Sequence, residues 1–428
     1  MRLVLLGLLL VLMVVFQALH TSLPENVGPR AALAFGFLLL FGFTLGEIVS
    51  RWTVPRITGY LLAGMTCGPY LVGLVDLAVV DHLELVNELA LCLIAFTAGG
   101  ELKINRLKAR LRTIGIITIV QTLFVFLAMS LILVALRPWL FLFQTLESDK
   151  YIAIIIILSL IATAKSPSTA VAVIVEARSQ GPITDIVLGT TVLKDIVVLI
   201  CFSLVMSFTL PVFGAQTDAT IPTIGGEFIK VVISLPVGII FGLFMSLYFR
   251  FVGKQNMLFI LASAFILISL SAALYLDSLL VATATGFTAS NFSRQGNSFL
   301  FSLEQASTPV FLIFFCLAGA SPNLSVLISV WHVALLYVLF RILFIYLGTA
   351  AGAKLAAESK KVRNLSWTGF IGQAGVSLGL VTLAKQKLPP EIGSYIFDLV
   401  VGIIIINQIL GPILFRWALL RTGEGKRT

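Results

Sequence analysis

The sequence predicts an all-α polytopic membrane protein with about 13–14 transmembrane helices, and three observations carry that reading. Of its 428 residues, 59% are hydrophobic and 11% charged, roughly half the charge of an ordinary soluble domain, and mean hydropathy is +1.06. Apolar runs long enough to cross a hydrocarbon core ~30 Å thick, at ~1.5 Å per helical residue, recur along the whole chain. Between them, Lys and Arg collect in alternate short loops, as the orientation rule for membrane helices requires.

The expected spans are 3–20, 31–49, 56–75, 85–100, 112–136, 151–177, 183–209, 228–249, 256–275, 278–292, 306–320, 324–353, 364–385 and 394–420. The first has Arg2 ahead of a long apolar core, as a signal peptide would. No small-x-small cleavage site follows His20, so it is read as a retained helix. Placing both termini in the cytoplasm puts twenty Lys and Arg on that side, Lys103, Lys108, Arg110, Arg112, Lys360, Lys361 and Arg363 among them, against six on the other, Arg30, Arg137, Lys150, Lys230, Lys385 and Lys387. The chain divides into an extra N-terminal transmembrane helix (1–30), a transmembrane domain (31–420) and a short cytoplasmic tail (421–428).

Several function classes are excluded. The net charge of +9 is not gathered on an exposed basic module, so no nucleic-acid partner is expected. Cys67, Cys92, Cys201 and Cys316 lie inside apolar runs with no CxxC spacing, which points to neither a disulfide framework nor a zinc site. There is no GxSxG, HExxH or phosphate-cradling glycine loop in a suitable context. Neither an enzyme nor a cofactor is expected.

The chemistry lies in charges buried at mid-span. The seventh span, 183–209, carries Lys194 and Asp195 near its middle, where a charge costs a few kcal/mol or more and usually marks a pathway or an ion pair. The sixth, 151–177, loses its apolar pattern at Thr163, Lys165, Ser166, Pro167, Ser168 and Thr169. Pro167 removes a backbone donor and clashes one turn back, so the helix is expected to kink or open there, and irregular backbone at that depth survives only beside protein or a water-lined cavity. In the thirteenth, 364–385, Gly372, Gln373, Ala374 and Gly375 fit either an opened helix or close packing through small residues. Paired interruptions in two halves are a pointer to a transporter site. Arg341 sits too deep in the twelfth span to reach either surface and needs a partner or water; structural bracing and substrate contact both fit. Glu304 reads as a solvated helix-end acid, with a gate carboxylate as the sharper alternative.

Six segments in order, PRITGYLLAGMTCGPYLVGL, LVNELALCLIAFTAGGELKINRLK, SPSTAVAVIVEA, TTVLKDIVVLI, TPVFLIFFCLAG and GQAGVSLGLV, resemble the monovalent cation:proton antiporters, in particular the branch holding Kef-type and related sodium/proton exchangers. The resemblance covers nearly the whole chain from Ala31 onward. It implies two inverted repeats, a mobile core beside a dimerisation domain, two discontinuous helices crossing at mid-membrane, and a homodimer to which the extra first helix contributes. It places the ion-binding and proton-carrying acid at Asp195, and the basic residue that neutralises the site at Arg341. This chain departs from the family in having Lys194 before the aspartate, where an acid or uncharged polar residue is common, and Lys165 where a small polar residue is usual.

The expected activity is exchange of Na+ or K+ for protons by alternating access in a lipid bilayer, most simply a bacterial inner membrane. Asp195 would bind the cation, with oxygens from Ser166, Ser168 and Thr163 beside it, since alkali ions prefer hard ligands. Lys194 would join it in ion and proton handling, and Lys165, Arg341 and Gln373 would support the site. Three buried positive charges against one negative leave a rival reading, an anion carrier or channel on the same fold. A scaffold that has lost transport is the third.

Overall fold

A computed structural model describes residues 2–22, 27–52, 54–137, 146–213, 221–293, 295–320, 324–373 and 375–426. Helices make up almost all of it, with no strand among the described residues. Lipid offers no partner to a backbone N–H or C=O, and a helix satisfies both within one segment. In order, the helices are α1 (Arg2–Ser22), α2 (Val27–Ser50), α3 (Arg56–Cys67), α4 (Leu77–His82), α5 (Glu84–Glu101), α6 (Ile104–Ala135), α7 (Ser148–Thr163), α8 (Pro167–Glu176), α9 (Pro182–Thr209), α10 (Ile221–Phe251), α11 (Asn256–Ala273), α12 (Ser278–Asn291), α13 (Gly296–Ala320), α14 (Leu324–Leu355), α15 (Lys360–Leu365), α16 (Gly375–Lys387) and α17 (Pro390–Thr422).

Each expected span has a helical counterpart, though α6 begins at Ile104 rather than 112, α10 at Ile221 rather than 228, and two further boundaries shift as far. The span expected over 56–75 stops at Cys67, because Gly68 caps it by donating to Gly64 O and Pro69 cannot continue a helix. The span expected from 306 begins at Gly296, since polar Asn297, Ser298, Glu304 and Gln305 hide its first turns from a hydropathy count. The four-residue centre of the thirteenth span proves to be an opened helix. After α15 come a 3-10 turn over Ser366–Phe370 and a non-helical stretch at 371–373, while Ala374 lies outside the described residues.

Two halves repeat with opposite sense. The fifth, sixth and seventh spans (α6, the broken α7/α8 and α9) correspond to the twelfth, thirteenth and fourteenth (α14, the broken α15/α16 and α17). An offset of seven crossings reverses the direction, so the halves are inverted. Glycines let other helices pack backbone to backbone. Gly64 and Gly319 seat α3 against α13, and Gly99 and Gly286 seat α5 against α12; a Cβ at any of them would overlap the facing backbone. Most buried side chains form one large core that includes α5 to α9 and α12 to α17. A smaller cluster around Phe16, Phe37, Phe41 and Ala63 joins α1 to α4 with one face of α13.

Candidate functional site

The first break is built by three consecutive residue choices. Helix α7 runs to Thr163, Ala164 leaves it with ψ of 148°, and Pro167 restarts the helix as its first residue. Proline there needs no N–H and has its φ preset, while the residue before it is steered out of the helical region. Ser166 caps the new helix, its Oγ accepting from Thr169 N at 3.3 Å and from Thr169 Oγ1 at 3.1 Å, with Ser168 Oγ at 2.7 Å. The second break crosses the first, Ser166 N donating to Gly372 O at 2.8 Å. Gly411 of α17 lies directly against that point, where a Cβ would come 2.8 Å from Gly372 N.

Arg341 holds the crossing together. It is fully buried, and its guanidinium donates to Ala162 O at 2.8 Å, Ala164 O at 2.9 Å, Ile371 O at 2.8 Å and Phe370 O at 3.5 Å. All four acceptors are carbonyls where a helical segment ends, the negative end of a helix dipole. Gln373 adds to the brace, donating to Ile161 O at 3.0 Å and Ala164 O at 3.3 Å and accepting from Asn407 Nδ2 at 2.9 Å.

Lys194 and Asp195 part company, because successive helical residues point ~100° apart. Lys194 is buried and donates to Gln121 Oε1 of α6 at 2.7 Å; Gln121 donates onward to Thr349 Oγ1 of α14 at 2.6 Å. Asp195 instead lines a cavity of about 330 Å³ together with Ser166, Pro167, Ser168, Asp277, Thr283 and Val376. Ser166 to Ser168 open α8 and Val376 opens α16, so the carboxylate shares its cavity with the positive ends of both short helices.

Lys165 is buried at the same level. Its Nζ stands 4.5 Å over the centre of the Phe370 ring and has no hydrogen-bond partner among the described residues. Thr163 turns back, its hydroxyl donating to Leu160 O at 2.7 Å, and it does not line the cavity.

A second pair of cavities, about 320 and 170 Å³, opens at the far end of α8, both lined by Val175, Arg178, Glu304, Thr308 and Phe311. Helix α8 lines the first cavity at Pro167 and Ser168 and the others from Ala172 to Glu176, so about 6 Å of helix separates them. Glu304, the helix-end acid of the sequence, faces this vestibule. Beside it Glu176 accepts from Arg56 N at 2.8 Å and from Arg416 Nη1 at 2.5 Å, tying α8 to the start of α3 and to α17.

Of the eight residues singled out from sequence, the structure brings Asp195, Ser166 and Ser168 to one cavity, sets Lys165 beside them, uses Arg341 and Gln373 as braces, and turns Lys194 and Thr163 elsewhere. Sequence reasoning missed Gln121 and Asp277. A lone amide in the apolar run of α6 was the available signal for the first, and an aspartate just ahead of a helix start for the second. An ionised Asp195 with two serine hydroxyls is a hard oxygen set suited to an alkali cation.

The transmembrane sodium/hydrogen exchanger family model matches residues 36–421. No curated protein matches the chain. Two solved structures share its fold. One is the sodium/proton antiporter MjNhaP1 of Methanocaldococcus jannaschii at pH 8, with 17% identity, TM-score 0.65 and coverage of 92% of this chain and 96% of that one. The other is an electron-microscopy map of the same antiporter, with 19% identity, TM-score 0.70 and coverage of 92% and 98%.

Proposed function

Because the chain belongs to the transmembrane sodium/hydrogen exchanger family, we propose that it exchanges Na+ or K+ for protons by alternating access, with Asp195 as the shared carrier. The observation that carries the site assignment is the placement of the Asp195 carboxylate on one cavity wall with Ser166 and Ser168, where two interrupted helices cross. Family membership favours cation:proton exchange over the anion-carrier and scaffold readings.

The cycle follows from competition for one carboxylate. Ionised, Asp195 attracts a cation and the serine hydroxyls complete its shell. Protonated, it is neutral and holds none. Lys165, buried near it with no hydrogen-bond acceptor among the described residues, is the basic group against which an arriving cation must compete for the carboxylate. Arg341 cannot serve that purpose while its guanidinium is committed to four carbonyls. It neutralises the negative helix ends, so that the crossing moves as one body. Helix α8 is the barrier, exposed to one cavity at Ser166 to Ser168 and to the other at Val175. A small displacement of the two crossing broken helices, with the helices braced to them, against α3 and α13 then exchanges access.

On this reading the protein works in a bacterial inner membrane with both termini cytoplasmic, as a homodimer to which α1 contributes. The test is transport in proteoliposomes carrying a pH gradient. Addition of Na+ or K+ should dissipate the gradient, and Asp195→Asn should abolish the response. Full activity of that variant, correctly inserted, would remove Asp195 from the mechanism.

A further inference from the structure

The cavity that Asp195 faces contains a second carboxylate. Asp277 ends the turn after α11 with φ of −75° and ψ of 107°, and caps α12 by accepting from Leu280 N at 2.8 Å through Oδ1. Asn and Ser cap about as well as Asp, so the cap does not call for a charge. Yet Asp277 is half-buried, lines the same cavity as Asp195 and is among the groups that act on Asp195 electrostatically. Much of the wall is aliphatic, from Leu91, Ile94, Leu280 and Leu383. Two carboxylates facing one apolar cavity repel each other, and a cation between them relieves that repulsion. Walls of low dielectric focus the field of a rim charge into the opening and raise the local cation concentration.

We propose that Asp277 is the recruiting residue for the transported cation on the face of the membrane opposite the Arg178 and Glu304 vestibule. It holds the ion between solution and Asp195, and it rests on the cation:proton exchange proposed above. A fixed negative charge concentrates every cation, protons included. It therefore raises the apparent affinity for both substrates from its own face and leaves the other face alone. Scaling both together keeps the ratio of forward to reverse exchange consistent with equilibrium.

The test compares wild type with Asp277→Asn and Asp277→Ser, which keep a capping group, and with Asp277→Glu, which keeps the charge on a poorer cap. The apparent KM for Na+ is read from collapse of an imposed pH gradient in right-side-out and in everted membrane vesicles, with the face receiving Na+ alkaline enough that protons do not compete there. The Asn and Ser variants should raise KM about three- to tenfold in one orientation only, with kcat unchanged and the effect fading at high ionic strength. Glu should stay near wild type. An unchanged KM in both orientations, or an equal rise in both, overturns the role of Asp277. A wild-type protein with no cation-driven proton flux overturns the exchange reading itself, before any variant is compared.

Discussion

The ammonium of Lys194 donates to Oε1 of Gln121 at 2.7 Å, while Asp195, its neighbour in sequence, faces an open cavity. The amide that receives the lysine is itself fixed by Thr349, so α6, α9 and α14 are joined by one buried polar chain. Lys194 is therefore anchored between helices and turned away from the cavity. In Gln121→Leu the ammonium loses a buried acceptor, which costs on the order of 1–3 kcal/mol. We expect a lower midpoint in thermal unfolding of the detergent-solubilised protein. Adding Lys194→Met to Gln121→Leu should recover most of the loss, and strictly additive losses would show that the two side chains are not coupled.

On the exchange proposed above, Lys165 sets how tightly Asp195 holds a cation. Lys165→Gln removes the positive group beside the site, so Asp195 should hold Na+ more tightly and release it more slowly. The expected result is a lower apparent KM together with a lower kcat in proteoliposomes. A KM and kcat equal to wild type would place Lys165 outside the transport step.

Arg341→Met would leave the four carbonyls at the two breaks without their donor, and removing one partner of a buried charged network costs roughly 3–5 kcal/mol. Arg341→Lys should rescue little, because a single ammonium cannot span carbonyls on both broken helices as a planar guanidinium does. Low recovery of folded protein for both variants by size-exclusion chromatography is the expected outcome. A stable, active Arg341→Lys would mean that charge alone suffices at the crossing.

The end of the described chain folds back onto the helices. The Glu424 carboxylate accepts from Ile183 N, Thr184 N and Thr184 Oγ1, each at 2.9 Å, and so caps the helix that carries Lys194 and Asp195. Gln180 N donates to Glu424 O at 3.0 Å and Lys426 N to Ala177 O at 2.8 Å, which fastens the tail to the turn between α8 and α9. Gly181, at φ of +156°, has no room for a Cβ against Glu424. Glu424→Ala should cost about 1–2 kcal/mol in thermal stability, with Glu424→Gln intermediate. If Ala matches wild type, the tail contact is not used in the membrane.

Depth was legible where rotation was not. A charge, a proline or a glycine pair at mid-span is conspicuous against an apolar background, so Lys165, Pro167, Lys194, Asp195 and Arg341 were visible from the chain alone. Which way each points was not, since that depends on neighbours far away in sequence. Lys194 turned out to face Gln121 on another helix, and Arg341 to bond carbonyls of two helices that are only brought together by folding. Asp277 was hidden for a different reason. An aspartate ahead of a helix start has an ordinary explanation as a cap, and only the cavity gives it a second one.

What the amino-acid order settled by itself is the medium and the sites of interruption, because the cost of placing charge or an unpaired amide in hydrocarbon is large and local. What the tertiary structure alone decided is the division of labour among the buried charges. Arg341 bonds the carbonyls of both breaks, Lys194 is tied to Gln121, and Asp195 is the group left facing the cavity. That assignment depends on which helices cross and at what angle, which is a property of packing between inverted halves and not of any single span.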